Sequence, residues 1–568
     1  MGIHTEDIDP ILLELLRNEI VTVTEEMAIT ITKTGRSPML SAGDFATAVA
    51  DHRGHVIGMQ LPPGFTCAFT RVLEGVLRKW DGNFEPGDAI VCNDPNSGAS
   101  HKPDVFVVMP LFLGEQLAGF SLAYSHQSDV GGRFAGGISS RPTTTFEEGL
   151  HLPAVKLYER NVLNDALADL LRSNIRAGDE FLADIEAKIA GCWRGAVAYV
   201  AILEKYGIDA VTACYDHLLD FQEQAARQAF AALPDGDYRA EMVLPEDGLG
   251  NRGCNYPIVV TISVRGDEMT VDFTGSSPQL PSAVNMPFTN TWSMVCESIY
   301  LLVGPAAPFN VGFARAIRVV APPGSIVNAE FPAAVGGRAA VYFLVIESVY
   351  LAMAKALPGR VPAITAGIDA VLVSGTRESG AAYSMMDIIT GSWGARPDKD
   401  GVDAAMMMFY SAISVERLES EIPVVVEEVD LVPDSGGPGK HRGGLSLVKQ
   451  YRFLRDASVM VRTNRHAGGS LAAAGGRQGF GARNTVIRRD GTTEDLPETS
   501  HVHVDLNAGD RLRHETGGQG GSGSVTERPR ELIRLDLETG RVSRAGAMRD
   551  YELTEAELAE ITARPARA

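Results

Sequence analysis

Cysteine is scarce and basic charge is in deficit. Six cysteines are spread over 568 residues without a CxxC spacing, which argues against a disulfide framework or a cysteine-based zinc site and makes a reducing cytoplasm the simplest home. Lys and Arg number 51 against 72 Asp and Glu, for a formal net charge of −21. Nucleic acids and anionic membranes are held by basic footprints, so neither is expected as a partner. No apolar run reaches the roughly 18 residues of a membrane span, and the opening MGIHTEDIDP carries acid where a signal peptide carries base. A soluble, cytoplasmic protein is expected. The sequence also lacks a GxxxxGK[ST] phosphate loop; the glycine run at 517–523 has neither the Lys-Ser/Thr ending nor a following helix start, and reads as a turn.

What is present describes a folded chain, 45% apolar and 22% charged. A single core stops growing at roughly 250 to 300 residues, so two or three domains are expected. Asp9-Pro10 opens a helix, with apolar residues at helical spacing from Ile11 through Leu15, Leu16 and Ile20 to Met27. Three strongly helical stretches follow His151, up to a break at 233–236. Residues 237–275 alternate as strands, and from Val424 onward the chain is β-rich, closing on a Thr554-Glu-Ala-Glu557 capping box before a short helix. The expected class is α+β: mixed β-sheets with a helical layer in the N-terminal half and a β-rich C-terminal part. The expected domains are 1–235, a metal-site domain; 236–423, a mixed α/β middle domain; and 424–568, a β-rich end.

The chemistry concentrates between Gly87 and His151. Residues 104–113 (DVFVVMPLFL) and 118–125 (AGFSLAYS) are apolar and β-prone around a polar turn, which is a hairpin pattern. An antiparallel hairpin sets the start of its first strand beside the end of its second. His101-Lys-Pro-Asp104 therefore meets His126-Gln-Ser-Asp129 at one sheet edge. One HxxD pair alone is more often a capping or surface pair; two that converge point to a divalent ion. Imidazole nitrogen with carboxylate oxygen suits Zn, Mn or Fe. Asp94 and His151 are placed to complete the shell, and Asp44, opening an earlier strand, either caps backbone or reaches the cluster.

These blocks, with SAGDFATAV, EEGLHLPAVKL, AVNMPFTNTW, PAAVGGR (Arg338), GGPGKHRGGL and GDRLRHETGGQGGSG, resemble the hydantoinase B family, which includes part of 5-oxoprolinase and the metal-carrying subunits of acetone and acetophenone carboxylases. The resemblance covers nearly the whole chain. It implies a hetero-oligomer with a hydantoinase A-type subunit that binds ATP and Mg and phosphorylates an amide or enolate oxygen, in keeping with the missing phosphate loop. It also implies metal ligands at His126, Asp129 and His151 on the pattern of the carboxylase relatives and at Asp44 and His101 on that of the amidohydrolases. With Asp104 from the hairpin these are the six candidate ligands, and His101, His126 and Asp129 are the ones expected to act in catalysis. The implied reaction is hydrolysis of a phosphoryl-activated cyclic amide; the alternatives are carboxylation of a ketone and a non-catalytic scaffold. Two departures stand against a plain hydantoin substrate: RFAGGISSRPTTTF where many members carry a Pro-Gly-Ser loop, and His151 where arginine is commoner.

Overall fold

A computed structural model describes residues 9–60, 66–80, 82–304, 309–363, 367–405, 412–466 and 468–563. The chain forms two compact units, Met1–Ala352 and Met353–Ala568. It is an α+β protein, with antiparallel sheets and helices in both units.

In the first unit, Asp9 caps helix α1 (Pro10–Thr34) by accepting from the Ile11 N–H at 2.9 Å, and Pro10 stands in the first turn. The buried face is Leu16, Ile20, Val23, Met27 and Ile31, while Ile11 and Leu15 face outward. After the single turn α2 (Pro38–Ser41) come β1 (Phe45–Asp51), β2 (Val56–Gln60), α3 (Thr66–Trp80), β3 (Ala89–Cys92), β4 (Asp104–Leu113), β5 (Gln116–His126), β6 (Val155–Glu159) and β7 (Val162–Leu163). The strands form one antiparallel sheet in the order β2-β1-β5-β4-β3-β6-β7. Helices α4 (Asp165–Asn174), α5 (Gly178–Tyr206) and α6 (Ile208–Ala231) follow.

Strand β4 shows why its sequence is apolar throughout. Val105, Val107, Met109 and Leu111 join a core with α1 and α5, whereas Phe106 and Val108 join a second core with Phe69, Val72, Leu73 and Val76 of α3. Side chains alternate across a strand, so a strand covered on both faces needs apolar residues at both parities. Helices α1 and α5 approach closely because α5 is glycine where they meet: a Cβ on Gly195 would lie 2.4 Å from Met27 Sδ.

A smaller sheet in this unit runs β11-β10-β9-β8, from β8 (Gly236–Glu246), β9 (Arg252–Arg265), β10 (Glu268–Asp272) and β11 (Ile317–Val320), with only β10 and β11 parallel. Helices α7 (Phe288–Val303) and α8 (Val311–Arg315) precede β11. Helix α9 (Ala339–Ala356) is, among the described residues, the one helix long and apolar enough to cross a membrane, and 72% of it is buried within the protein.

The second unit holds two antiparallel sheets. One, β13-β12-β16-β19, comprises β12 (Asp369–Thr376), β13 (Ala382–Ile389), β16 (Ala457–Arg462) and β19 (His501–Leu506). The other, β14-β15-β20-β17-β18, comprises β14 (Val424–Val432), β15 (Ser446–Phe453), β17 (Arg483–Ile487), β18 (Thr493–Asp495) and β20 (Arg511–Glu515), with α10 (Val415–Glu421) leading in. Residues 517–523 are not a surface turn. They run buried between two other glycine-rich segments: Gln519 exchanges backbone hydrogen bonds with Gly437 and Gly444, Gly518 with Ser470 and Phe480, and Ser522 with His441. Helices α11 (Arg530–Glu538), α12 (Arg544–Asp550) and α13 (Glu555–Ala563) close the chain around Ile533, Ala547, Tyr551 and Leu558. Glu557 accepts from the Thr554 N–H at 2.9 Å and donates its own N–H back to the Thr554 hydroxyl at 3.3 Å, which is the capping box. All six cysteines are free.

Candidate metal centre

The hairpin pairs Asp104, the first residue of β4, directly with His126, the last of β5. His101 lies in the turn before β4, and its carbonyl accepts from the Asp104 N–H at 3.1 Å, so that turn folds its ring back over the strand end. Three atoms converge. His101 Nε2 stands 3.1 Å from Asp104 Oδ1 and 3.2 Å from His126 Nδ1, and His126 Nδ1 stands 3.1 Å from the same Oδ1. The residues are 3%, 4% and 6% exposed in the order His101, Asp104, His126.

Burial, with the Arg338 charge, pushes His101 down to about 3, so its imidazole is neutral and its lone pair available. Burial opposes ionisation of Asp104, but the two imidazoles and Arg338 outweigh it and hold the carboxyl well below its usual range. Two imidazoles and a carboxylate thus aim acceptor atoms at one buried point, where they repel unless a cation or shared protons lie between them. The donor set, two nitrogens and one oxygen, fits Zn, Mn or Fe. Asp104 Oδ2 is taken from the other side: the Ser100 hydroxyl donates to it, and Arg338 Nη2 reaches it at 3.5 Å and Ser100 Oγ at 2.6 Å.

The other expected ligands are not members of this group of three. Asp44 is buried just before β1, and its carbonyl accepts from the His126 N–H at 3.1 Å. Asp129 accepts from the N–H groups of Gly131, Gly136 and Arg176 at 3.2, 2.9 and 3.0 Å, and from Arg176 Nη1 at 2.9 Å. That fills its oxygens and fixes the loop after β5, where Gly131 and Gly132 take φ of 76° and 79°. His151 has 37% of its side chain exposed and sits 4.0 Å from Asp94 Oδ1; Asp94 itself caps the turn at Pro95–Ser97.

Sequence spacing did not single out four supporting groups. Lys102 donates to the carbonyls of Thr145 (2.5 Å) and Gly149 (2.8 Å). Glu148 Oε1 accepts from the N–H groups of Val335 and Gly336, and burial pushes this carboxyl up to about 7. Lys188 on α5, lowered to about 7 by burial, donates to Val105 O and Ser125 Oγ, both at 2.9 Å, beside Asp104 and His126. Arg338 lies in the PAAVGGR block, the one signal that marked it.

The profile of the hydantoinase B/oxoprolinase family matches residues 9–525. The chain belongs to that family. A relative from Pseudomonas sp. (strain NS671), named as the B component of a D-/L-hydantoinase, is 31% identical over 98% of both chains. The beta chain of the Pseudomonas jessenii caprolactamase is 28% identical over 96% of both, and the crystal structure of that organism's ATP-dependent caprolactamase matches with a TM-score of 0.88 over 97% of each chain, at 26% identity. The nucleotide-free structure of an acetone carboxylase matches with a TM-score of 0.88 over 98% of this chain and 82% of that one, at 17% identity, and so shares the fold. This hydantoinase B-type chain is thus related to amide-hydrolase subunits and, at 26% identity over 78% of its length, to the delta subunit of an acetophenone carboxylase from Aromatoleum aromaticum.

Proposed function

We propose that this chain is the metal-carrying catalytic subunit of an ATP-dependent cyclic-amide hydrolase, working beside a hydantoinase A-type subunit that binds ATP and Mg. The observation that carries the reading is the convergence of His101 Nε2, Asp104 Oδ1 and His126 Nδ1 within 3.1–3.2 Å. A ring amide is a poor electrophile; phosphorylation of its oxygen on the partner activates the carbon toward water, after which the ring C–N bond breaks, the nitrogen leaves with a proton, and the acyl phosphate that remains is hydrolysed to carboxylate and phosphate. A divalent ion held by the three residues would supply Lewis acidity and an acidified water at neutral pH. The chain's own groups prepare that place. His101 and His126 offer nitrogen lone pairs, Asp104 offers one oxygen, and Ser100 and Arg338 occupy the other oxygen, so the carboxylate presents a single ligand atom in a fixed orientation.

The degree of similarity favours a cyclic amide over a ketone. The hydantoinase and caprolactamase relatives match at 31% and 28% identity over 98% and 96% of this chain, against 26% over 78% for the delta subunit of the acetophenone carboxylase from Aromatoleum aromaticum, while the acetone carboxylase match at 17% speaks for fold alone. The absent phosphate loop supports the division of labour. Co-expression with an A-type subunit, followed by assay of hydantoins, lactams and 5-oxoproline with ATP, tests the reading. ATP-dependent ring opening that is lost in His126→Ala is expected. ATP-dependent incorporation of labelled bicarbonate into a ketone would replace it with a carboxylase.

A further inference from the structure

Two segments far apart in sequence are clasped together beside the metal centre. The Thr145 N–H donates to Pro332 O at 2.9 Å, and Thr144 forms an antiparallel bridge with Ala333. At the outer end Phe146 and Phe331, 72% and 57% exposed, meet edge to face with centroids 5.6 Å apart. At the inner end Glu148, 2% exposed, accepts the Val335 and Gly336 N–H groups on Oε1, while its Oε2 has no hydrogen-bond partner. The fit leaves no slack: a Cβ on Gly336 would lie 2.6 Å from Gly137 O and 2.9 Å from Glu148 Oε1. The first segment is in turn bound to the HxxD turn, because Lys102, next to His101, donates to Thr145 O and Gly149 O. Two residues beyond Gly336, Arg338 reaches Ser100 and the outer oxygen of Asp104.

We infer that Glu148 is a positioning residue of the metal centre: by fixing the Val335–Gly336 backbone it sets Arg338 against Asp104 Oδ2, and so turns Oδ1 toward His101 and His126. The inference rests on the metal reading proposed above. Loss of Glu148 frees the 333–338 loop, Arg338 leaves Asp104, and the carboxylate rotates out of its single-ligand orientation. What Glu148 contributes to the loop is an acceptor oxygen, Oε1, shared by the Val335 and Gly336 N–H groups.

The test measures affinity of the full chain for Zn2+ or Mn2+, whichever the wild type retains, by competition with a chromogenic chelator. Groups that orient ligands typically change metal affinity by about 10- to 100-fold. Glu148→Ala and Arg338→Gln should each weaken binding by at least about tenfold, and Glu148→Gln, which keeps a carbonyl oxygen for the two N–H groups, should stay close to wild type. Because Glu148 acts through Arg338, the double variant Glu148→Ala/Arg338→Gln should bind no more weakly than Arg338→Gln alone. A merely structural role would lower the melting temperature without that non-additivity. Should Glu148→Ala fail to fold, Glu148→Asp, which keeps the charge and shortens the reach, should give the same loss. Wild-type affinity in Glu148→Ala or Glu148→Asp, or losses that add in the double variant, overturns the inference while leaving the metal site standing. A wild type that holds no metal removes the proposed function first.

Discussion

Replacing Asp129 by alanine separates the two things an aspartate at this position can be. Its carboxylate accepts from the Gly131 and Gly136 N–H groups and from Arg176, and leaves no oxygen free for a metal. Gly131 and Gly136 are buried, so their N–H groups lose their acceptor without gaining water. At about 1–3 kcal/mol for each unmet buried donor, the variant should lose about 2–6 kcal/mol. For a unit of this size that corresponds to a fall of roughly 3–8 °C in melting temperature. The loss should be the same in chelator-treated and metal-loaded protein, because an anchor acts in both states, whereas a ligand stabilises only the loaded one. Differential scanning calorimetry with and without EDTA, beside elemental analysis of the folded fraction, measures both. Metal lost from Asp129→Ala with its apo melting unchanged would show that Asp129 is a ligand and refute its role as a loop anchor.

In the second unit a Cβ on Gly443 would lie 2.0 Å from Gln519 O; Gly443→Ala should therefore cost about 3 kcal/mol or more through backbone displacement, and an unchanged urea midpoint would contradict the packing of the glycine segments. His501 is held down to about 3, chiefly by burial and also by Arg462. The unfolded chain thus binds this proton first, and the stability involved is complete above about pH 6.5 and lost as pH falls toward 3; His501→Gln should flatten that decline, and an equally steep one would refute it. Calorimetry of the chain alone with MgATP should show no binding heat, since no phosphate cradle stands in the sequence; a micromolar site would undo the assignment of ATP to a partner.

How far the sequence reached depends on how local each feature is. The pairing of Asp104 with His126 was legible because two apolar strands joined by a short turn fix their own register. The second HxxD has the same spacing as the first, yet its aspartate follows a strand end whereas Asp104 begins a strand, and its carboxylate is taken by Arg176 beside positive-φ glycines. Arg338 lies 234 residues from Asp104, so no spacing rule relates them. The same limit hid Glu148, whose acceptor role exists only once the 333–338 loop lies against it. In α1 the apolar period was clear, but Ile11 and Leu15 fall outside the buried stripe, although Leu16 beside Leu15 is fully buried. Composition makes the glycine run at 517–523 look like a turn because it cannot show that two other glycine-rich segments lie on either side of it.

The central claim is that His101, Asp104 and His126 hold a divalent ion, and elemental analysis of wild type beside His126→Ala tests it most directly. Each protein would be purified without added metal, and folding checked by circular dichroism. The arrangement predicts a tightly held Zn, Mn or Fe in the wild type and its loss from a folded His126→Ala. Full retention of the ion by His126→Ala, or a folded wild type that cannot be loaded with any of the three, would contradict it.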